Sequence, residues 1–187
     1  MNKTTMDTPE FVPHPGRVGP QGCVSIVGMA AAGKTTIGRE LAALIGWPQI
    51  DTDNLIEATY GARLHCITQK LDKEGFLDLE GEIIRRLNVR RCVISTGGSA
   101  VYRDVAIQHL KSLGPIIYIC VPLPIILERF ARKPDRGMAM NPGQTIEELY
   151  AERARLYEAA ADFTSFGGTA PASEYARDIA RWLAMEI

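Results

Sequence analysis

Residues 28–36 read Gly28-Met-Ala-Ala-Ala-Gly33-Lys34-Thr35-Thr36, a complete G-x-x-x-x-G-K-S/T phosphate loop. An apolar run at 23–27 precedes it and a helix-like stretch at 36–45 follows it. Strand, loop and helix in that order is the context in which such a loop works. Gly28 and Gly33 let the backbone curl until several N–H groups converge on one anion. The helix opening near Lys34 adds the positive end of its dipole. This junction demands a buried strand that delivers the loop and a helix that leaves it, which narrows the fold before any other residue is read.

The rest of the chain repeats that alternation. Strand-like runs fall at 22–27, 48–50, 92–95 and 116–121, with a weaker one at 162–165. Helical patterns fall at 34–46, 52–60, 64–71, 73–89, 103–112, 122–132, 145–161 and 171–186. Such alternation predicts an α/β fold with a parallel sheet covered on both faces. Val93-Ile94 and the run from Ile116 to Ile119 are continuously apolar, as buried parallel strands are. Ligands of these sheets sit at the carboxyl ends of the strands, where the phosphate loop falls.

Bulk properties exclude several function classes. A net charge of −1 gives no footprint for nucleic acid or an anionic membrane. No apolar run reaches the 18 or so residues of a membrane-spanning helix. Cys23, Cys66, Cys92 and Cys120 show no C-x-x-C spacing, and three of them sit in apolar runs, so they read as reduced thiols in a cytoplasmic protein. His14, His65 and His109 are too scattered to form a ligand set with them. Residues 1–20 carry Pro9, Pro13, Pro15 and Pro20 without an apolar core, and are expected to be a flexible tail rather than a signal peptide. Residues 21–187 are expected to form one domain and to work as a monomer.

Three further segments carry chemistry. Asp51 and Asp53 stand two apart at the end of the second strand, where one carboxylate can serve Mg²⁺ and the other can take a proton from an attacking hydroxyl. Either could instead cap the helix that follows. Gly97-Gly98-Ser99 ends the third strand, and paired glycines there allow the backbone to approach a ligand. The stretch 132–143, with Pro134, Gly137, Pro142 and Gly143, is too broken for a helix and reads as a lid.

Taken together, the loop at 28–36, Asp51-Thr52-Asp53 with Ile56-Glu57, the Gly97-Gly98 turn and Arg153-Ala154-Arg155-Leu156-Tyr157 resemble the shikimate kinase family, over about residues 22–186. The resemblance implies a P-loop kinase fold with a five-stranded parallel sheet, helices on both faces and a short lid. It implies ATP-dependent phosphorylation of a hydroxyl on a small carboxylate, with Mg²⁺. Carried over, Gly28, Ala31, Ala32, Gly33, Lys34, Thr35 and Thr36 hold the nucleotide, with Arg129 against adenine and Arg136 clamping phosphates from the lid. Thr35 and Asp51 serve the metal, Asp53 activates the acceptor hydroxyl, and Gly97, Gly98, Ser99 and Arg153 line the acceptor site. A nucleotide switch is the rival class, but the Asn-Lys-x-Asp guanine reader is absent.

One departure bears on the acceptor. The family places a second carboxylate-binding arginine where this chain has Leu77, and the third glycine of the turn is Ser99. Leu77 and Glu80 share a helix face, so Glu80 would lose its cationic partner. An unpaired buried carboxylate is costly unless it is protonated. The expectation is therefore an acceptor that brings its own cation to Glu80, a hydroxy-amino acid such as homoserine, with shikimate as the alternative.

Overall fold

The computed structural model describes residues 11–19, 21–132 and 138–185. Five strands, β1 (Val24–Val27), β2 (Gln49–Asp51), β3 (Val93–Ser95), β4 (Ile116–Cys120) and β5 (Phe163–Phe166), form one sheet in the order β2-β3-β1-β4-β5. Every neighbouring pair is parallel. The helices are α1 (Pro15–Val18), α2 (Lys34–Ile45), α3 (Thr52–Tyr60), α4 (Leu64–Lys70), α5 (Lys73–Arg85), α6 (Asp104–Leu113), α7 (Leu123–Ala131), α8 (Ile146–Ala160) and α9 (Ala172–Ala184). A 3₁₀ turn, Ala100–Tyr102, follows β3.

All four residues of β1 and all three of β3 are buried, which only a sheet covered on both faces allows. Register pairs Ile26 with Ser95 and Ile117, and Asp51 with Ser95. The carboxyl ends of the three strands therefore finish side by side, and the loops that leave them share one edge. The principal core gathers Val24, Ile26, Leu41, Ile94, Ile117 and Ile179 around the sheet. A second cluster, Ile56, Ile67, Phe76, Leu77 and Ala139, lies under α3, α4 and α5.

Two local readings shift. The helix expected over 73–89 stops at Arg85. Leu87 is buried and donates its N–H to the Ile84 carbonyl at 3.0 Å, so a tighter turn brings it inward. In the segment expected to be a tail, residues 1–10 lie outside the described residues. Beyond them, His14 N–H donates to the Leu183 carbonyl at 2.7 Å and Val18 is buried. The Arg17 guanidinium lies 4.6 Å from the Trp182 ring centroid, so α1 packs on α9.

Candidate active site

The phosphate loop has the curled backbone that its glycines suggest. Gly28, Ala31 and Gly33 all have positive φ, of 148°, 65° and 97°. A Cβ at Gly28 would stand 2.8 Å from the Ile119 carbonyl oxygen, so strand β4 leaves no room for a side chain there. Lys34 opens α2 and turns back over the loop, and its Nζ donates to the carbonyls of Gly28 and Met29 at 2.8 and 3.0 Å. Burial pushes its amine down to about 8, against the opposing pull of Asp53 and Asp51.

Asp51 does two jobs. Its Oδ1 accepts from the N–H groups of Asp53 and Asn54 at 3.0 and 3.2 Å, capping α3. Its Oδ2 accepts from the Thr35 hydroxyl at 2.6 Å. The cap that could have explained this carboxylate away leaves its second oxygen beside the loop. Gln49 fixes the same corner, donating to the Thr35 carbonyl at 2.9 Å and the Ser95 hydroxyl at 2.8 Å.

Asp53, the second residue of α3, faces the end of β3. The Gly97 N–H donates to the Thr52 hydroxyl at 3.0 Å, which docks the turn on α3. A Cβ at Gly97 would collide with Glu80 Oε1 and lie 2.6 Å from Asp53 Oδ1, so both carboxyl groups meet over this glycine. A Cβ at Gly98 would lie 3.0 Å from Arg153 Nη1. Arg153 is buried on α8, and its guanidinium donates to the Tyr102 hydroxyl at 3.3 Å and the Ala139 carbonyl at 2.7 Å. Tyr157 holds the turn from the other side, donating to the Gly98 carbonyl at 2.5 Å.

Glu80 is 1 % exposed, and the Ser99 hydroxyl donates to its Oε2 at 2.5 Å. Its Oε1 has no hydrogen-bond partner among the described residues. Burial first, and the neighbouring Asp53 second, push its carboxyl up to about 7. Leu77, expected to face the acceptor, packs into the apolar cluster with Ile56, Ile67 and Phe76. Asp78, on the same helix, is paired with Arg103 at 2.8 Å.

Arg129 donates to the carbonyls of Ala31, Ala32 and Gly168 at 3.0, 3.3 and 2.5 Å, clasping the phosphate loop to the segment after β5. Two openings meet at the loop. One, of about 390 Å³, is lined by Lys34, Thr35, Thr36, Asp53, Thr96 and Gly98. The other, of about 280 Å³, is lined by Ala32, Gly33, Thr36, Arg129 and Tyr175 among others. Arg136 lies outside the described residues, as does most of the first half of the expected lid.

The fold thus brings Lys34, Thr35, Asp51, Asp53, Glu80, Gly97, Gly98, Ser99 and Arg153 to one edge. Sequence reasoning passed over Tyr102, Tyr157 and Tyr175, the last of which accepts from the N–H groups of Gly168 and Ala170. Among these, only Tyr157 stood inside a quoted motif. Among the described residues no three His, Cys, Asp or Glu side chains gather to hold a metal.

Comparison with known proteins agrees with this geometry. The family model described as Shikimate kinase matches residues 30–184. The shikimate kinase of Chromohalobacter salexigens is 37% identical over 142 residues, covering 74% of this chain and 79% of that protein. That of Nitratidesulfovibrio vulgaris is 31% identical over 169 residues, covering 86% and 95%. The solved shikimate kinase from Acinetobacter baumannii in complex with shikimate is 30% identical, has a TM-score of 0.79, and covers 93% of this chain and 94% of its own. That of Aquifex aeolicus has a TM-score of 0.71 at 28% identity, covering 86% and 95%.

These relatives overturn the homoserine expectation. The physical reason lies at Glu80, where Ser99 supplies a donor from within the chain and burial holds the carboxyl largely neutral below pH 7. No ammonium is needed from the acceptor. This chain belongs to the shikimate kinase family, whose members are ATP-dependent phosphotransferases acting on a small-molecule hydroxyl.

Proposed function

We propose that this protein transfers the γ-phosphoryl group of ATP to a hydroxyl of shikimate. The observation that carries the reading is the convergence of Asp53, Gly97, Gly98 and Arg153 beside Lys34. The relative solved with shikimate supports the choice of acceptor.

Each residue has a task in this reading. The curled backbone from Gly28 to Gly33, with Ala31 and Ala32, offers N–H groups to the phosphates, and Thr36 extends that surface on the first turn of α2. Lys34 exchanges its two loop carbonyls for phosphate oxygens and stabilises the charge of the migrating group. Asp53 takes the proton as the acceptor oxygen bonds to the γ-phosphorus. The bond from that phosphorus to the β,γ-bridging oxygen breaks, and ADP leaves with the electron pair. Arg153, buried and cationic, meets the acceptor carboxylate beside the Gly97-Gly98 backbone. Arg129 borders the nucleotide base, and Arg136 clamps the phosphates.

The Thr35 hydroxyl and Asp51 carboxylate are hard oxygens 2.6 Å apart at the loop, a donor pair that suits Mg²⁺ shared with phosphate and water. The ion would supply charge neutralisation for the phosphates. We also read the enzyme as a cytoplasmic monomer. Its cysteines are free, and no described helix is long and apolar enough to cross a membrane.

A coupled ADP-release assay with Mg-ATP tests the reading against shikimate, homoserine, serine, threonine and gluconate. Turnover should appear with shikimate. ADP release with another member of the panel and none with shikimate would overturn the assignment.

A further inference from the structure

Two departures from the family pattern, Leu77 and Ser99, bear on one carboxyl group, that of Glu80. Leu77 stands where the family pattern has an arginine, and it is 2 % exposed within an apolar cluster. No cation therefore reaches Glu80 from its own helix. The cations that act on it come from elsewhere, Lys34 on α2 and Arg153 on α8, and the charge that opposes it is Asp53 on α3. Its hydrogen bond comes from Ser99, on the turn after β3. That bond occupies Oε2 and leaves Oε1 buried and without a partner among the described residues. The free oxygen points at the Cα of Gly97, the same place approached by Asp53 Oδ1.

A glycine at position 99 would leave both Glu80 oxygens without a donor, in a pocket that water does not reach. The side chain could then turn through its last torsion, which is broad for a carboxyl group. Ser99 removes that freedom with one short bond from a turn whose backbone is itself held by Thr52 and Tyr157.

We propose that Ser99 is a positioning residue of the acceptor site, holding Glu80 by Oε2 so that its carboxyl stays packed behind Gly97 and beside Asp53, which sets where Asp53 and the Gly97-Gly98 backbone meet the acceptor. In this chain Ser99 takes over the hold on Glu80 that an arginine at position 77 would exert. The inference rests on the shikimate reading for its kinetic consequence, while the hold on Glu80 stands apart from it.

Two measurements test it. In ligand-free enzyme, the Glu80 carboxyl is titrated by carbon-13 NMR. Ser99→Ala removes a bond that favours the ionised form, so the midpoint should move up from about 7. An unchanged midpoint would overturn the hold on Glu80, whatever the acceptor proves to be. In steady-state kinetics with shikimate, Ser99→Ala should raise KM for shikimate about tenfold, the usual scale for a hydrogen bond to a charged group, and leave KM for ATP unchanged. Ser99→Thr, which keeps the hydroxyl, should recover most of the loss. Adding Leu77→Arg should help the Ser99→Ala enzyme more than the native one.

Equal rises in both KM values, with lowered thermal stability, would mean a structural turn residue and overturn the proposal. So would equal benefit from Leu77→Arg in both backgrounds. If the Leu77→Arg chain does not fold, the KM split and the Thr rescue decide. Absence of shikimate turnover in the native enzyme would instead sink the shikimate assignment, and the titration would still judge Ser99.

Discussion

Replacing Glu80 by Gln should stabilise this enzyme, and the gain should grow with pH. Glu80 is buried and its carboxyl is pushed from an ordinary value of 4.5 up to about 7. Below pH 4.5 the folded and unfolded chains both hold this proton, and the group costs nothing. Between about 4.5 and 7 only the folded chain holds it, so stability falls as pH rises. Above about 7 both forms are ionised and the full cost of the buried charge is present, about 3 kcal/mol at 1.36 kcal/mol for each tenfold step. Gln does not titrate. Its carbonyl can keep the bond from Ser99, and its NH₂ then faces Asp53, where Oε1 had no partner. At pH 8.5 the variant should gain about 2–3 kcal/mol, roughly 5–10 °C in Tm for a chain of this size. At pH 5 the gain should shrink to about 1 kcal/mol. Urea unfolding of the ligand-free protein, followed by circular dichroism at both pH values, measures this directly. An equal gain at pH 5 and 8.5, or a loss at pH 8.5, would refute the account of Glu80 as a charge held against its preference.

Other substitutions probe the chemistry. Lys34→Ala removes the cation over the loop and should lower kcat about 100-fold or more with shikimate, while near-native turnover would remove the phosphate loop from catalysis. Asp53→Asn should keep ATP affinity, measured by calorimetry, and lose about 100-fold in kcat, whereas weakened nucleotide binding with normal turnover at saturation would assign Asp53 elsewhere. Gly97→Ala puts a methyl group against Glu80 and Asp53, and should raise KM for the acceptor at least tenfold with little change in KM for ATP, so a uniform loss in both would show that the turn itself had collapsed.

The phosphate loop was legible because everything it needs is contiguous, a buried strand, a curled turn and a helix start. The strands were legible because burial on both faces leaves no alternation to misread, as β1 and β3 show. The end of α5 was not, since the turn at Leu87 is set by the core beneath it rather than by local propensity. The partner of Glu80 was missed for a related reason. No arginine along α5 stands at an offset that reaches Glu80, and the donor sits 19 residues away on the turn after β3. The hydroxyl of Ser99 was noted as a departure from glycine without its use being seen. Among the described residues Arg129 bonds to the backbone carbonyls of Ala31, Ala32 and Gly168, partners that no side-chain pattern announces. Asp51 reads from sequence as a cap or as a metal-side carboxylate; its Oδ1 caps α3, and its Oδ2 accepts from the Thr35 hydroxyl at the loop.

The helix that carries the loop's lysine is braced by the last helix of the chain. α9 packs along α2, and Arg129 ties the loop itself to Gly168 just ahead of α9. During synthesis the nucleotide loop is thus made roughly 140 residues ahead of the helix that supports it. At roughly 5–20 residues per second, the interval is on the order of ten seconds. A ribosome-bound chain that ends before residue 172 displays the whole phosphate-loop motif without the helix that holds it. Competence for ATP should arrive abruptly, with the final turns of α9, rather than grow as the chain lengthens.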